Sequence, residues 1–197
     1  MKNKKIRTAL FGGSFDPIHN GHTSLARAVR ESNLADEVWF LVTPQNPHKQ
    51  ECKLTAESDR LKMVQSALAG EERMQASDFE FSLPRPSYTI NTLNALEEVY
   101  PDREFLLLMG ADNWRKIDKG YKADEIMSRF AIIVYPRDGE EMPTLPAGVK
   151  WLQSPLLDIS STEIRNAIAK GDNMEEWLHP AVLDYIRKNG LYKTTTT

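Results

Sequence analysis

Short runs of hydrophobic residues alternate along the chain with segments whose hydrophobic residues recur at helical spacing. The runs have the length of buried strands, and glycine or proline follows several of them. They predict strands at Ile6–Phe11, Glu37–Thr43, Glu104–Met109, Phe130–Tyr135 and Val149–Leu152. Met74–Phe81 alternates only loosely, which is typical of an exposed or edge strand.

The segments between the runs have the periodicity of amphipathic helices. They predict helices at His22–Ser32, around Leu61–Leu68, and at Tyr88–Val99, Ala123–Met127, Thr162–Lys170 and Pro180–Lys188. Gly171 and Gly190 follow the last two, at the position where a glycine ends a helix. The third helix has two alternative buried faces, one of Ile90, Leu93 and Leu96 and one of Leu93, Leu96 and Val99.

This alternation of strands and helices predicts the α/β class. Nearly continuous hydrophobic strands separated by helices are typical of a mostly parallel sheet that helices cover on both faces. The chain shows no internal repeat and no long linker, so we expect one domain over residues 1–192. Its C-terminal part, residues 155–192, is expected to be small and helical, and residues 193–197 to form a disordered tail.

Composition and charge narrow the class of protein. The 197 residues carry 25 Lys and Arg against 28 Asp and Glu, a net charge of −3, whereas duplex nucleic-acid binders present a basic face. A single cysteine, Cys52, excludes an internal disulfide framework and a cysteine-based zinc site. The hydrophobic runs are too short to cross a membrane, and none follows the basic N-terminus, so we expect a cytoplasmic protein without nucleic-acid or membrane partners.

The first strand–helix junction, Gly12–His22, concentrates the candidate chemistry. It contains three of the ten glycines and two of the four histidines of the chain. It matches neither the dinucleotide-binding fingerprint nor the Walker loop. Its glycines nevertheless allow backbone to approach a phosphate closely, and the helix that follows offers N–H groups and a positive dipole end.

His19 and His22 are three residues apart, which places both imidazoles on one side of a helix start. Two ring N–H groups beside a helix N-terminus suit contact with one phosphate. A structural pair is the second interpretation, with one histidine capping the turn and the other packed. A metal site is the third, with Asp16 as a further ligand, although no cysteine lies near it in the sequence.

A second candidate segment, Ile159–Arg165, combines hydroxyl groups with an arginine at the start of a predicted helix. One of Ser160, Ser161 and Thr162 is expected to be the N-cap residue. Hydroxyls beside an arginine at a helix N-terminus are typical of an anion site, and an ordinary capped helix is the alternative. The occurrence of both segments in one chain favours anion binding.

Both segments resemble the signatures of one nucleotidyltransferase superfamily. The first contains its His-x-Gly-His signature at His19 to His22, and the second resembles its Ile-Ser-Ser-Thr-x-x-Arg signature. Within that superfamily, the chain is similar over nearly its whole length to the bacterial nicotinate-nucleotide adenylyltransferases. Further segments similar to that family are Pro44 with Pro47–Lys49, Pro86–Thr89, Gly110–Asp112 and Asn189–Tyr192.

The resemblance implies a Rossmann-like nucleotidyltransferase fold and adenylyl transfer from ATP to nicotinate mononucleotide, giving deamido-NAD and pyrophosphate in NAD biosynthesis. A phosphate monoester is already largely an anion at pH 7 and attacks without a general base. Catalysis then consists of positioning and charge stabilisation. The alternatives are another adenylyl- or cytidylyltransferase of the superfamily, such as a pantetheine-phosphate adenylyltransferase, and a nucleotide-binding regulatory module without turnover.

The resemblance also assigns residues to roles. The expected catalytic donors are His19, His22 and Arg165. The expected ATP contacts are Gly12, Gly13, Ser14, Phe15, Ser160, Ser161, Thr162 and, from a loosely matching turn, Arg137. The expected mononucleotide contacts are Asp16, Asn46, His48, Lys49, Ser87, Tyr88, Thr89, Gly110, Asp112, Trp114 and Tyr121. Mg²⁺ is expected to arrive with ATP, since no carboxylate cluster suggests a protein cage, and no metal-ligating residue is expected.

The chain departs from the family where the pyridine ring is held. Family members commonly carry a tryptophan at the position of Gly120, and here Tyr121 or Trp114 is expected to replace it, or neither ring stacks. The helix start at Tyr88 is expected to bind the nicotinate carboxylate through backbone N–H groups. Asp112 is expected on a ribose hydroxyl or as a helix N-cap. The oligomeric state stays open, a homo-oligomer included.

Overall fold

Six strands form one parallel sheet in the computed structural model of the chain, which describes residues 4–44, 54–136, 144–153 and 159–193. The spatial order is β3-β2-β1-β4-β5-β6, and every neighbouring pair is parallel. The strands are β1 (Ile6–Gly13), β2 (Glu37–Val42), β3 (Met74–Ser77), β4 (Arg103–Gly110), β5 (Ala131–Tyr135) and β6 (Val149–Trp151).

The strand order changes direction between β1 and β4. The chain builds outwards from β1 through β2 and β3 on one side, and from β4 through β5 and β6 on the other. The register pairs Phe11 with Leu108, so β1 and β4 end side by side. A parallel sheet leaves a crevice at the carboxyl ends of its strands where the order changes direction, which places a ligand site beyond Gly13 and Gly110.

Helices cover both faces of this sheet. They are α1 (Asn20–Glu31), α2 (Glu57–Ala67), α3 (Thr89–Val99), α4 (Ala111–Trp114), α5 (Ala123–Arg129), α6 (Ser161–Lys170) and α7 (Pro180–Asn189). One core packs α1, α2, α6 and α7 against the face that includes Phe11, and a second packs α3 and α5 against the face that includes Leu10. This arrangement confirms the α/β class and the sheet covered on both sides.

The predicted elements are present, with ends that differ by a few residues. The strand predicted at Met74–Phe81 is wrong in its second half, because Phe79–Ser82 forms a 3₁₀ turn, but β3 is an edge strand as expected. In α3, Ile90 is fully buried and Val99 is 57% exposed, which selects the first of the two predicted faces. The short helix α4 was not predicted.

The two C-terminal helices share the core of α1 and α2. Ile164 of α6 and Ile186 of α7 are buried there. Gly171 and Gly190 end these helices with φ of 87° and 63°, as predicted, because a left-handed residue at this position favours glycine. Among the helices of the described ranges, none is both long and apolar enough to cross a membrane.

Candidate active site

The loop after β1 places the aromatic ring of Phe15 against His22. Phe15 has a φ of 48°, and its side chain is buried. A Cβ added at Gly13 would lie 3.0 Å from this ring, so a side chain there would displace it. The ring also meets His22 edge to face, with centroids 5.2 Å apart. The side chain of Phe15 therefore supports a histidine, and only its backbone is available to a ligand.

The rings of His19 and His22 lie against each other, tilted, at the start of α1. Their ring centroids are 3.7 Å apart, with an interplanar angle of 34°. The backbone N–H of His19, the N-cap residue, donates to Nδ1 of His22 at 3.2 Å. Nδ1 of His22 therefore carries no proton, so the neutral ring carries its proton on Nε2 and presents an N–H donor there.

Burial keeps both imidazoles neutral at pH 7. It lowers the pKa of His19 to about 4. Burial, and then the neighbouring His19, lower the pKa of His22 well below its ordinary value. Each ring can donate one N–H to a phosphate oxygen without holding a permanent positive charge. A bound triphosphate would raise the pKa of both rings, because a nearby anion favours the protonated ring.

The start of α6 is hydrogen-bonded to this same loop. The guanidinium of Arg165 donates to the carbonyl of Asp16 at 2.7 Å, and the hydroxyl of Ser161 donates to the carbonyl of Pro17 at 2.9 Å. Both carbonyls belong to the loop that leads into His19. The two segments that the sequence singled out as anion sites therefore lie together and form one candidate site.

The three hydroxyls at the start of α6 have different partners. Ser160 is the N-cap residue, and its Oγ accepts from the backbone N–H of Glu163 at 3.2 Å. Ser161 holds the loop after β1. Oγ1 of Thr162 accepts from Arg165 at 3.2 Å, which leaves the hydroxyl proton able to donate. The geometry thus favours Thr162 and Arg165 as the groups of α6 that face a phosphate.

At the starts of α1 and α6, backbone N–H groups already donate to other groups of the protein. This corrects the expectation that these N–H groups are free. The backbone N–H of Asn20, the first residue of α1, donates to the carbonyl of Trp177 at 2.8 Å. At α6, the carboxylate of Glu163 accepts from the backbone N–H of Ser160 at 2.8 Å. Phosphate contacts at this site therefore depend more on side-chain donors than the sequence pattern suggests.

Asp16 holds the loop after β1 to two other parts of the chain. Its buried carboxylate accepts from the hydroxyl of Tyr192 at 2.5 Å and from the backbone N–H of Thr55 at 3.2 Å. Burial and this carboxylate raise the pKa of Tyr192. With both oxygens engaged, Asp16 has a positioning role in the structure, and its contact with a mononucleotide stays a prediction.

Arg60 is a residue of this region that the sequence pattern does not single out. Its guanidinium is fully buried and donates to the carbonyls of Ser14 at 2.7 Å, Thr43 at 2.8 Å and Thr55 at 3.0 Å. These carbonyls belong to the loops after β1 and β2 and to the segment before α2. A charged residue in an amphipathic helix is expected on the exposed face, so only the tertiary structure reveals this role.

A cavity of about 470 Å³ lies at the carboxyl ends of β1 and β4, beside the start of α3. Hydrophobic side chains from the strands and helices line it, together with three residues with hydroxyl groups at the start of α3, Ser87, Tyr88 and Thr89. Gly12 also lines the cavity, so it connects this region with the loop after β1. The structure therefore brings the predicted ring-binding segment to a pocket of suitable chemistry.

The cavity distinguishes the two candidates for the missing tryptophan. Tyr121 lines it, and its ring lies against that of Tyr88 with centroids 4.6 Å apart. Trp114 is half-buried against the second core and is not among the described residues that line the cavity. Of the two aromatic residues, only Tyr121 therefore lines the cavity, and stacking of a pyridine ring on it stays a prediction.

The predicted residues after β4 lie at the start of α4. Gly110 is the N-cap residue, so the alternative prediction of Asp112 as the N-cap is wrong. Asp112 lies in the first turn, and its carboxylate pairs with Arg115 at 2.7 Å. An added Cβ at Gly110 would lie 3.3 Å from the ring of Tyr135, which shows how closely the chain passes β5 here.

Glu80 is a second residue that the sequence pattern does not single out. Its carboxylate is 8% exposed, lines the cavity and accepts from the hydroxyl of Thr92 at 2.9 Å. Burial raises its pKa, and hydrogen bonds from Thr92 and Ser87 act in the opposite direction. Four predicted site residues, Asn46, His48, Lys49 and Arg137, lie outside the described residues, as does Cys52.

The chain is similar to known nucleotidyltransferases in sequence and in fold. The sequence model of the cytidylyltransferase-like family matches residues 10–167. A protein of Bacteroides fragilis named probable nicotinate-nucleotide adenylyltransferase is 49% identical over 180 residues, 90% of each chain. One of the same name from Bacteroides thetaiotaomicron is 43% identical over 95% of this chain and 94% of that chain. Plasmodium falciparum nicotinic acid mononucleotide adenylyltransferase complexed with NaAD has the same fold, with a TM-score of 0.78 at 21% identity over 95% of this chain and 97% of that chain.

Proposed function

The chain belongs to the cytidylyltransferase-like family and, within it, to the nicotinate-nucleotide adenylyltransferases, and from this premise we propose that it transfers the adenylyl group of ATP to nicotinate mononucleotide. The products are deamido-NAD and pyrophosphate, and the reaction is a step of NAD biosynthesis. The observation that supports this most is the bond from Arg165 to the carbonyl of Asp16, which joins the paired imidazoles and the start of α6 in one site.

The reaction needs positioned donors and no general base. An oxygen of the 5′-phosphate of nicotinate mononucleotide attacks the α-phosphorus of ATP, and the bond from that phosphorus to the oxygen that bridges to the β-phosphate breaks. The attacking group is already an anion at pH 7. The negative charge that moves to the leaving pyrophosphate is stabilised by Nε2–H of His22, by the imidazole of His19 and by the guanidinium of Arg165.

The cavity beside α3 is assigned to the nicotinate ring and its carboxylate. Tyr121 offers a ring face, and the start of α3, which no described side chain caps, offers the backbone N–H groups of Thr89 and Ile90. Backbone N–H groups are donors only. They bind both oxygens of a carboxylate but leave the NH₂ of an amide unpaired.

Mg²⁺ is expected to reach the site bound to ATP. Both carboxylate oxygens of Asp16 are engaged by protein groups, and the described ranges contain no group of three or more His, Cys, Asp or Glu side chains that could hold a metal ion. The described side chains therefore do not fit a resident metal, and we assign no catalytic step to one.

A coupled assay tests the proposed function. The purified chain is incubated with ATP and one candidate acceptor of the adenylyl group. Pyrophosphate release is measured, and the mass of the product is determined. We expect release with nicotinate mononucleotide, together with the mass of deamido-NAD, and little with phosphopantetheine. A higher kcat/KM with phosphopantetheine would assign the chain to another activity of the superfamily, and no release with either acceptor would contradict turnover altogether.

A further inference from the structure

We propose that Glu80 is a positioning residue for the mononucleotide pocket, and that its buried carboxylate fixes the start of α3 through the hydroxyl of Thr92. This inference rests on the proposed function, because it takes that helix start to be the binding site of the nicotinate carboxylate. Glu80 itself contacts the side chain of Thr92 and is not assigned a chemical role in adenylyl transfer.

The carboxylate of Glu80 reaches the helix start from a separate element. It lies in the 3₁₀ turn Phe79–Ser82, which follows the edge strand β3. One oxygen accepts from the hydroxyl of Thr92 at 2.9 Å. Thr92 follows the N-cap residue Tyr88 by one turn. The bond therefore ties the first turn of α3 to the turn that follows β3.

The position of Glu80 is energetically unfavourable unless its hydrogen bonds compensate for it. The side chain is 8% exposed, and burial of a carboxylate costs free energy that good hydrogen bonds must offset. Hydrophobic residues such as Leu93 and Leu107 line the same cavity, so an aliphatic side chain would suit its surroundings. The hydroxyl that donates to the carboxylate belongs to the first turn of α3, which identifies what the charge holds in place.

The turn that Glu80 holds is otherwise open to solvent. Tyr88 is 43% exposed and extended, with φ −99° and ψ 140°, and Thr89 is exposed. The carbonyl of Tyr88 accepts from the backbone N–H of Asn91 at 2.9 Å, so the helical bonds begin there and the N–H groups of Thr89 and Ile90 precede them. Binding of a carboxylate by two N–H groups depends on their direction, which the bond from Thr92 to Glu80 sets.

The test compares Glu80→Met, which removes the oxygen acceptors, and Thr92→Val, which removes the donor, with a matched control, Glu98→Met, which changes an exposed carboxylate near the other end of α3. We expect each of the first two variants to raise KM for nicotinate mononucleotide about 10-fold, with kcat and KM for ATP within about 2-fold of the parent. The double variant should be little worse than either single variant, because both changes remove the same bond. The control should behave as the parent.

Amide hydrogen exchange on the protein without substrates gives a second readout that does not depend on activity. Exchange of residues 88–92 should be faster in Glu80→Met than in the parent, with β1 and α6 unchanged. Unchanged exchange there, or a rise in KM that affects ATP as much as the mononucleotide, would overturn the inference. A parent protein that does not transfer the adenylyl group would instead overturn the proposed function, and the exchange result would still test the role of Glu80.

Discussion

The two halves of the candidate site are built in different ways. In the half assigned to ATP, hydrogen bonds join segments far apart in the sequence, from Arg165 to the carbonyl of Asp16 and from Ser161 to the carbonyl of Pro17. His19 is buried there, and its ring lies against that of His22. In the half assigned to the mononucleotide, a cavity of about 470 Å³ is bordered by two exposed tyrosines, Tyr88 and Tyr121.

This difference separates charge stabilisation from substrate selection. Donors held rigidly near the transferring phosphate act on charge that develops in the transition state, so their loss should lower kcat. Groups around the cavity bind the mononucleotide in the ground state and the transition state alike, so their loss should raise KM for that substrate alone. The predictions that follow test this division.

The largest effect is expected for His22→Ala. Loss of one preorganised donor to a charged transition state lowers kcat by about 10²–10³. The matched control is His179→Asn, because His179 lies outside the site and accepts the backbone N–H of Ala181, a cap that asparagine can replace. Steady-state kinetics and thermal melting of both variants give the answer. A kcat for His22→Ala close to that of the parent, with a native melting curve, would remove this histidine from the chemistry.

The buried imidazoles should also make stability depend on pH. The pKa of His19 is about 4 when folded against an ordinary 6.5, so between these values the unfolded chain binds more protons. The contribution of His19 to the free energy of unfolding should therefore be complete above pH 6.5. It should be lost as the pH falls towards 4, which lowers the free energy of unfolding by up to about 3 kcal/mol.

The measurement is urea denaturation of the parent and of His19→Gln between pH 4 and pH 7. The variant should lose stability less steeply as the pH falls, because it lacks one of the two titrating rings. Equal slopes for the parent and His19→Gln would show that the buried ring does not titrate as the structure indicates.

Arg165→Ala should raise KM for ATP and lower kcat, by about 10–100-fold together in kcat/KM, because a guanidinium contacts phosphate in the ground state and the transition state. Arg165→Lys should recover only part of this loss, since an ammonium cannot form the planar double contact. Arg187→Ala, on the exposed surface of α7, serves as the control. Unaltered ATP kinetics with lower stability would make Arg165 purely structural.

The smallest effect is expected for Tyr121→Ala. Loss of a stacking ring should raise KM for nicotinate mononucleotide about 3–10-fold and leave KM for ATP nearly unchanged. Trp114→Ala is the comparison, because that ring packs against the second core and its loss should lower the melting temperature instead. A selective rise in KM for Trp114→Ala, and none for Tyr121→Ala, would reverse the assignment of the ring-stacking residue.

The half of the site assigned to ATP consists of short sequence motifs and was largely predictable from the sequence. A hydroxyl residue as the N-cap of α6 follows from the chemistry of a helix start, and the structure shows that it is Ser160. The shared side of His19 and His22 follows from their spacing. The strand runs predicted the sheet, because nearly continuous hydrophobic segments suit a parallel sheet covered on both faces. These features depend on neighbours within a few residues, which a sequence pattern records.

Features that depend on distant partners could not be predicted in this way. Arg60 is buried because three backbone carbonyls from separate segments converge on it. Glu80 was included in a predicted strand, and its partner Thr92 lies beyond two prolines. The backbone N–H of Asn20, the first in α1, donates to the carbonyl of Trp177, which lies near the other end of the sequence. Burial and pairing of this kind follow only from the assembled fold.

The most direct test of the central claim compares two substrates on the unaltered protein. Nicotinate mononucleotide and nicotinamide mononucleotide differ only by a carboxylate against an amide. A pocket that offers backbone N–H donors at the start of α3 should favour the acid about 10–100-fold in kcat/KM, because the NH₂ of the amide would meet donors. The two values are measured with saturating ATP under matched conditions. A preference for the acid in this range is the predicted result, and equal values would contradict the donor-only pocket and the synthesis of deamido-NAD that depends on it.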